Sequence, residues 1–171
     1  MNIYTEAVYP KDLSGVYLDE HLNKGYFRGG QMMYRSPFLL NEEGVFSTIR
    51  IRFSMAQHKF SKRIRKRIRQ NEPFFYHEVN KASFSEEKDA LYQQHKHRFG
   101  KFADKHVHQY INLTKQSVFD TYEVCIYEKA SKKLVGLSFF DVGKNSIASI
   151  IAVFDKAFTN YSLGLYTMLL E

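Results

Sequence analysis

A run of cations in the first half of the sequence is the feature with the clearest chemical consequence. Between Lys59 and Arg69, the segment KFSKRIRKRIRQN carries seven Lys and Arg side chains and no acidic residue. These seven account for the whole net charge of +7, because the rest of the chain has 18 basic and 18 acidic residues. One cationic strip on a neutral chain is typical of a site for a polyanion, such as nucleic acid or an anionic membrane surface.

The apolar residues inside this run predict that it is a helix. Phe60, Ile64 and Ile68 recur every four residues, so a helix can bury them as one thin stripe and expose the cations. Ser61 is the predicted N-cap. Exposed helix faces usually mix charges of both signs, and this one does not, which favours phosphate contact over a nonspecific basic surface. A nuclear-localisation signal fits the composition, but the buried stripe suits a folded element better.

Composition limits the class of protein. With 171 residues, of which 44% are hydrophobic, the chain is long enough for one domain with a buried core. Cys125 is the only cysteine, which excludes a disulfide framework, and its apolar strand predicts an inert core thiol. The N-terminus lacks the apolar run of a signal peptide, and no stretch approaches the ~20 apolar residues of a membrane span. We therefore predict a cytoplasmic monomer without a membrane segment.

Histidine pairs raise the question of a metal site. His95 and His97 are two residues apart, as are His106 and His108. On a helix, residues at this spacing point to different faces, and no carboxylate or cysteine partners are evident. We expect no metal site.

Periodic patterns predict the elements that flank the basic run. A short helix is expected around Asp19–Asn23, ended by Gly25. The alternation of VFSTIRIRF predicts a strand from Val45 to Phe53, with Arg50 and Arg52 on its exposed face.

A second helix is predicted downstream of the basic run, from Glu86 to Phe99. Ser83 and Glu86 have the spacing of a capping box, and Gly100 is expected to interrupt the helix.

Three strand-like runs separated by short polar turns follow residue 117. They are Tyr122–Glu128, Leu134–Val142 and Ser146–Phe154, and their spacing predicts an antiparallel meander. A helix is predicted to begin directly afterwards, at Tyr161 or Ser162. The fold class is therefore α+β, with an antiparallel central meander flanked by helices.

A meander followed by a helix with a Ser/Gly entry resembles the central unit of the GNAT acyltransferase superfamily. In that superfamily, a Gln/Arg-x-x-Gly-x-Gly/Ala loop at a helix start holds the pyrophosphate of acyl-CoA. If Gly164 aligns with the first glycine, Tyr161 takes the Gln/Arg position and Tyr166 the second small position. Both tyrosines would crowd the phosphates, which counts against coenzyme A. The resemblance also implies a truncated chain, because GNAT-like folds continue past this helix and the C-terminal part would be incomplete.

A more specific resemblance is to the arginyl/leucyl-tRNA–protein transferase family, whose transferase domain is a GNAT-like variant. It covers most of the chain, through YLDEHLNKGYFRGGQMMYRSPF, FSKRIRKRIRQN, KDALYQQHKHRF and AVFDKAFTNYSLGLYTMLLE. In the family, Phe/Tyr-Asp at a strand end is followed by Ser-Leu-Gly-x-Tyr opening a helix. The matching residues here are Phe154, Asp155, Ser162, Leu163, Gly164 and Tyr166.

The middle of the chain matches the family less closely. A Ser-Lys/Arg-x-x-Arg/Lys-x-x-Arg-x-Asn pattern appears as Ser61, Arg65, Arg69 and Asn71, with Arg65 one place from the expected spacing. The family commonly has N-terminal cysteines and a Cys-x-x-Cys after a Tyr-Arg-Pro stretch, and this chain has YRSPFLLNEEG instead. The resemblance is therefore to a cysteine-lacking branch, without metal or iron–sulfur regulation through those cysteines.

The resemblance implies one GNAT-like transferase domain over residues 1–171, with an N-terminal segment of about 1–58 and a core of 59–171. Such an enzyme uses no cofactor and moves Arg or Leu from charged tRNA to the N-terminal α-amine of an acceptor protein, which creates a degradation signal. Its partners are aminoacyl-tRNA and proteins with an exposed N-terminus. Because the ester is already activated, the enzyme mainly aligns amine and carbonyl and stabilises the oxyanion.

Roles for individual residues follow from the same resemblance. Asp155 would hold the α-ammonium or a cationic aminoacyl side chain, and the N–H groups around Ser162 to Gly164 would face the oxyanion or terminal phosphates. Tyr161 or Tyr166 would stack on the terminal adenine. The candidate catalytic residues are Asp155, Ser162, Gly164 and Tyr166; the substrate-binding residues are Phe154 and Tyr161; the tRNA-binding residues are Lys62, Arg63, Arg65, Lys66, Arg67, Arg69 and Asn71. The residue types also allow a cap or turn role for Asp155 and a core position for Tyr166.

Two other functions stay open from the sequence. A GNAT-type N-acetyltransferase using acetyl-CoA would be stabilised thermally by coenzyme A and not by tRNA. A noncatalytic RNA-binding remnant would bind tRNA without transferring an amino acid.

Overall fold

The computed structural model describes residues 6–11, 14–41, 44–112 and 117–171. The α-helices of this part of the chain are α1 (Gly15–Asn23), α2 (Lys62–Asn71), α3 (Glu86–His95) and α4 (Leu163–Leu170). Its strands are β1 (Glu6–Val8), β2 (Phe27–Gly29), β3 (Met32–Arg35), β4 (Phe38–Asn41), β5 (Gly44–Ser47), β6 (Phe75–Lys81), β7 (Thr121–Glu128), β8 (Leu134–Val142) and β9 (Ile147–Phe154). Short 3-10 helices span Lys96–Phe102, Val107–Tyr110 and Lys156–Tyr161. No helix in these ranges is long and apolar enough to cross a membrane.

A four-stranded antiparallel sheet, ordered β6-β7-β8-β9, forms the centre of the molecule. The predicted meander is confirmed, because β8 has the predicted bounds and β7 and β9 each begin one residue from theirs. The α+β class is also confirmed. The strand β6, which adds one edge to the sheet, was not predicted.

The two central strands, β7 and β8, are buried on both faces, to which successive residues of a strand point in turn. On one face, Cys125 of β7 and Leu137 of β8 pack with Tyr92 of α3. On the other face, Ile126 of β7 packs in a cluster with Leu163 and other residues of α4. The central sheet is therefore held between α3 and α4.

A smaller sheet, ordered β1-β3-β2, lies in the N-terminal part of the chain. The turn between β2 and β3 contains Gly30 at φ 65°, a left-handed conformation that favours glycine. Leu18 and Met33 form a buried cluster there with Phe119, which precedes β7. This contact joins the small sheet to the central one.

The predicted strand from Val45 to Phe53 is wrong beyond its first residues. Only Gly44–Ser47 pairs, with β4, and Ile49 and Ile51 are 83% and 91% exposed. An alternation of apolar and polar residues shows that a segment could bury one face as a strand. It does not show that a partner strand is present. Arg50 is not on a free strand face, because its guanidinium lies 3.2 Å from the centre of the Phe27 ring.

The helix predicted from Glu86 to Phe99 begins correctly but has a different cap and end. Ser85, not Ser83, is its N-cap and accepts a hydrogen bond from the N–H of Lys88. Ser83 instead donates to the carboxylate of Glu123. The α-helix stops at His95 and continues as a 3-10 helix, which is interrupted at Gly100, as expected.

The basic run forms the predicted helix, α2. Ser61 caps it by accepting a hydrogen bond from the N–H of Ile64, and Ile68 packs on the α4 side of the sheet. The helix α1 begins earlier than predicted, at Gly15, because Ser14 caps it by accepting from the N–H of Tyr17.

Candidate active site

The connection from β9 to α4 contains most of the predicted site residues. After Phe154, the chain makes the 3-10 helix Lys156–Tyr161 and then turns at Ser162, which has left-handed φ 53° and ψ 46°. The side chain of Ser162 makes no capping hydrogen bond, so α4 begins without a side-chain cap.

Some of the backbone N–H groups at the start of α4 have no hydrogen-bond acceptor among the described residues. The N–H groups of Leu165 and Tyr166 both donate to the carbonyl of Ser162 at 3.0 Å. Among the described residues, no acceptor is found for the N–H groups of Leu163 and Gly164. The positive end of a helix with unpaired N–H groups suits a phosphate or an oxyanion.

Gly164 lies directly against the ring of Phe154. A Cβ on Gly164 would come within 3.3 Å of the Phe154 ring. The same ring contacts the imidazole of His95 with centroids 4.6 Å apart, and Nδ1 of His95 lies 3.0 Å from the Phe154 carbonyl oxygen. Burial lowers the pKa of His95, so its ring is neutral at pH 7. Phe154 is thus a packing residue that fixes α4 against the end of β9.

Asp155 is committed to two contacts in the structure. One carboxylate oxygen accepts from Nζ of Lys133 at 2.7 Å, and the other accepts from the N–H of Ala157 at 3.0 Å. Burial raises the pKa of Asp155, but these hydrogen bonds outweigh it and the pKa lies below its ordinary value. The carboxylate therefore caps the 3-10 helix Lys156–Tyr161, which is the structural role that its residue type allowed.

The two tyrosines of this region have different surroundings. Tyr166 is buried in the cluster on the α4 side of the sheet, and burial raises its pKa. It therefore neither crowds the helix start nor offers a face to an adenine, and both expectations for its ring are corrected. Tyr161 is half-buried, with its ring 5.0 Å from that of Phe75 and 5.3 Å from that of Phe74.

The basic helix lies directly beside this connection. Nη1 of Arg67 donates to the carbonyl of Asn160 at 3.2 Å, and Nδ2 of Asn71 donates to the carbonyl of Tyr161 at 3.0 Å. Two predicted features that are far apart in the sequence therefore form one surface.

Asn71 is not part of the cationic face of α2. Its side chain is 0% exposed, so it ties α2 to the connection and is not free to contact phosphate. Arg67 is half-buried, and the cations that are exposed on α2 are Lys62, Arg63, Arg65, Lys66 and Arg69.

Phe74 is a candidate that sequence reasoning missed. It follows α2 by three residues, is 51% exposed and contacts the ring of Tyr161. An exposed aromatic next to a cationic helix is a typical platform for an unpaired base. The available signal was the Phe74-Phe75 pair directly after the basic run.

Neither metal chemistry nor thiol chemistry is evident in this region. Within the described ranges, no group of three or more His, Cys, Asp and Glu side chains is arranged to hold a metal ion. Cys125 is buried, and burial raises its pKa to about 11, which makes it an unreactive thiol, as predicted.

An uncapped helix start beside a cationic helix, at the end of an antiparallel sheet, gives this α+β protein a positively charged surface. Residues 87–171, about half of the chain, match the family model described as Arginine-tRNA-protein transferase, C terminus. The match contains α3 from its second residue, the meander and α4, and the chain belongs to this family. Membership identifies the protein as a transferase whose substrate is an aminoacyl-tRNA, and the resemblance predicted from the sequence is confirmed. The comparison with curated proteins finds no match.

Proposed function

We propose that this protein is an aminoacyl-tRNA–protein transferase that moves Arg or Leu from charged tRNA to the N-terminal α-amine of an acceptor protein. The modified N-terminus then serves as a degradation signal. The observation that carries the proposal is the contact of α2 with the β9–α4 connection, through Arg67 and Asn71. A family match over residues 87–171 alone does not include α2, so this contact is independent support.

The cations of α2 and the start of α4 have complementary tasks in this proposal. The exposed Lys and Arg side chains bind the tRNA backbone and supply affinity without sequence specificity. The free N–H groups of Leu163 and Gly164 hold a phosphate near the 3′ end. Phe74 and Tyr161 stack on an unpaired base there.

The reaction needs little from the protein beyond alignment. The acceptor's amine nitrogen, once deprotonated, attacks the ester carbonyl carbon and forms the new amide bond. The ester bond to the 3′-terminal ribose breaks, and the ribose oxygen leaves as a hydroxyl after taking up a proton. Asp155 contributes by fixing the chain between β9 and α4, since both of its oxygens are engaged. We propose a GNAT-like fold and a single domain as the framework for this chemistry.

Charge reversal on α2 tests the proposal. Arg65, Lys66 and Arg69 are changed together to Glu, and affinity for charged tRNA is measured by filter binding over a salt series. We expect affinity to fall by about 100-fold or more and the salt slope to flatten, because each lost phosphate contact removes ~0.7–0.9 from the slope.

The matched control reverses three exposed lysines away from the site, Lys24, Lys105 and Lys144, which changes the net charge by the same amount. This variant is expected to keep most of the tRNA affinity. Equal affinities for the two triple variants would contradict the proposal.

A GNAT-type acetyltransferase is the second candidate, and one observation favours it. The ring of Tyr166 is buried away from the start of α4, so it does not obstruct a pyrophosphate there. Transfer assays with arginyl-tRNA, leucyl-tRNA and acetyl-CoA separate the candidates, together with thermal shifts measured with coenzyme A. Transfer from acetyl-CoA alone would replace the proposed function, and tRNA binding without transfer would indicate a noncatalytic protein.

A further inference from the structure

Exposed apolar side chains are concentrated in the part of the chain that precedes the basic helix. Of the fifteen large apolar side chains that are exposed among the described residues, six lie between residues 45 and 55: Val45, Phe46, Ile49, Ile51, Phe53 and Met55. Single exposed apolar residues are common on protein surfaces, but a concentrated group of them indicates an interaction site. No role in the proposed chemistry above uses residues 45–55, which we call the apolar segment.

The arginines and isoleucines of this segment are arranged the wrong way round for a surface that faces only water. The guanidinium of Arg50 lies 3.2 Å from the centre of a phenyl ring of β2, and Arg52 donates at 2.6 Å to a side chain at the end of α1. Between and beside them, Ile49 and Ile51 are 83% and 91% exposed. In contact with water alone, isoleucines usually pack inward and arginines extend outward. The two arginine contacts therefore hold the apolar side chains away from the protein.

Aromatic contacts join the apolar segment to the basic helix. The ring centres of Phe53 and His58 are 4.9 Å apart, and those of His58 and Phe60 are 5.2 Å apart. Phe60 directly precedes the cap of α2, and its carbonyl accepts a hydrogen bond from Nη1 of Arg65 at 2.7 Å. The exposed apolar side chains and the cations of α2 therefore adjoin on one surface.

The charge of this surface limits what can cover it. From Gly44 to Asn71 the sequence has nine Lys and Arg residues and no Asp or Glu. A second copy of the chain does not fit, because two such faces would bring like charges together. Nucleic acid satisfies the cations, but aliphatic side chains gain nothing from phosphates and do not stack on bases. An anionic phospholipid bilayer satisfies both, because its headgroups attract Lys and Arg and its acyl boundary takes up apolar side chains.

We propose that the apolar segment and the exposed cations of α2 form a docking surface for an anionic membrane. Ile49, Ile51 and Phe53 enter the boundary between headgroups and acyl chains, while the cations of α2 pair with lipid phosphates. The protein lies on the membrane surface in this arrangement and does not span the bilayer. The inference goes beyond the proposed transfer reaction. Because tRNA and the membrane use the same helix, they bind the protein alternately.

Co-sedimentation of the full chain with vesicles tests the inference without any transfer step. One set of vesicles is phosphatidylcholine alone, and the other contains about 30% phosphatidylserine. We expect binding to the anionic vesicles to be at least about tenfold tighter, because each cation near such a surface contributes about fivefold. The variant with Arg65, Lys66 and Arg69 changed to Glu is expected to lose this preference.

A tryptophan in the apolar segment reports whether its side chains enter the bilayer. The chain contains no tryptophan, so Ile51→Trp introduces a single fluorophore at a 91% exposed position. Its emission is expected to shift to shorter wavelength with anionic vesicles and to be quenched by brominated acyl chains. Phe84→Trp is the matched control, because Phe84 is 53% exposed but lies outside the segment, directly before α3. Its emission is expected to stay unchanged.

Polar substitutions separate membrane binding from tRNA binding. Ile49, Ile51 and Phe53 are changed together to Ser, which is expected to weaken binding to anionic vesicles by about 30-fold or more. The affinity for charged tRNA is expected to stay within about twofold, because no cation is lost. The control changes three other exposed apolar residues to Ser: Val16, Val79 and Phe84. It is expected to bind vesicles as the unmodified protein does, and circular dichroism verifies the fold of both variants.

Three outcomes would overturn the inference: equal binding to the two kinds of vesicle, equal vesicle affinity of the two triple-Ser variants, or an unshifted emission from Ile51→Trp. A loss of tRNA affinity in the Ile49, Ile51 and Phe53 variant as large as that from charge reversal would also overturn it, because the segment would then belong to the RNA site. The proposed function is tested separately by the tRNA assays. If α2 reversal leaves tRNA affinity unchanged while the vesicle results hold, only the proposed tRNA site fails.

Discussion

Asp155 is held by contacts that give its carboxylate a structural task. Its oxygens accept from Lys133 and from the N–H of Ala157, at the point where β9 leads into the connection to α4. The sequence identified the position as chemically important, but it did not distinguish a group that contacts substrate from one that holds the chain beside it. The difference depends on Lys133, which lies 22 residues earlier and faces Asp155 only because β8 and β9 pair.

The contacts of Asp155 predict a pH-dependent contribution to stability. Because its folded pKa lies below the ordinary value of 3.8, the contribution is present above that pH and is lost as the pH falls through the lower folded pKa. Asp155→Asn should therefore lower the free energy of unfolding by about 1 kcal/mol or less at pH 7, since Lys133 is half-exposed. The difference from the unmodified protein should shrink below about pH 4.

Urea denaturation at several pH values checks this, with Asp120→Asn as the control. Asp120 forms an ion pair with Lys81 in which both side chains are exposed, so its effect should be smaller. A loss from Asp155→Asn that is the same at pH 7 and below pH 4 would rule out the ion pair as its source.

The residues Asn71 and Tyr166 show why the site was only partly predictable. Both lie in segments that resemble motifs of the transferase family, and both are buried. A motif preserves residue type and spacing whether the residue contacts the substrate or supports one that does. The side chain of Asn71 links α2 to the β9–α4 connection by a hydrogen bond to the carbonyl of Tyr161. The sequence cannot reveal this contact, because it depends on where Tyr161 lies in the fold.

At the scale of elements, the charges of α2 destabilise the helix that carries them. It has no acidic residue in its first turn, and its cations repeat at i and i+4 as Lys62/Lys66, Arg63/Arg67 and Arg65/Arg69. Each like-charged pair costs about 0.2–0.5 kcal/mol at low salt, and cations near a helix N-terminus are unfavourable. Its stability must come from the Ser61 cap and from packing through Ile68 and Asn71.

Salt should therefore stabilise α2 selectively. Raising NaCl from about 0.05 M to about 0.5 M screens the repulsion, and amide exchange in α2 should slow by roughly fivefold, which corresponds to about 1 kcal/mol. The helix α3 is the internal control, because Glu86, Glu87 and Asp89 in its first turn complement the helix dipole. Exchange in α3 that slows as much as in α2 would contradict this account.

The elements that the sequence predicted well are those buried on both faces or capped locally. The strand β8 is apolar almost throughout and bounded by polar turns. The cap of α2, Ser61, lies directly before it, although only Ile68 of the predicted stripe packs in a core cluster and Phe60 precedes the helix. The strand β6 was missed because it is an edge strand in which only Phe75 is fully buried, so no period-two pattern appears. The strand predicted through Ile49 and Ile51 was wrong for the opposite reason. The alternating pattern is present there, but no partner strand for these residues is found in the described chain.

At the scale of the whole molecule, the Arg28–Asp141 pair joins the two sheets. Arg28 belongs to β2 of the small sheet, and Asp141 lies at the end of β8 in the central sheet. The same pair lines a cavity of about 580 Å³ between the two sheets. Docking of the N-terminal sheet and formation of the cavity are therefore one event, and neither was visible in the sequence, because the two residues are 113 positions apart.

Removal of the guanidinium tests this coupling. Arg28→Met leaves Asp141 buried without its partner, which should lower the free energy of unfolding by about 3–5 kcal/mol. The double variant Arg28→Met with Asp141→Leu removes both charges and should recover much of that loss.

Burial already raises the pKa of Asp141, and the loss of the opposing Arg28 raises it further. An acid whose folded pKa is raised binds its proton on folding, so the penalty in Arg28→Met should be largest at neutral pH and smaller near pH 5. Urea denaturation at both pH values, with amide exchange in β2 and β3, provides the measurement. A penalty that does not change with pH, or a double variant no more stable than Arg28→Met, would show that the two sheets are held together by other contacts.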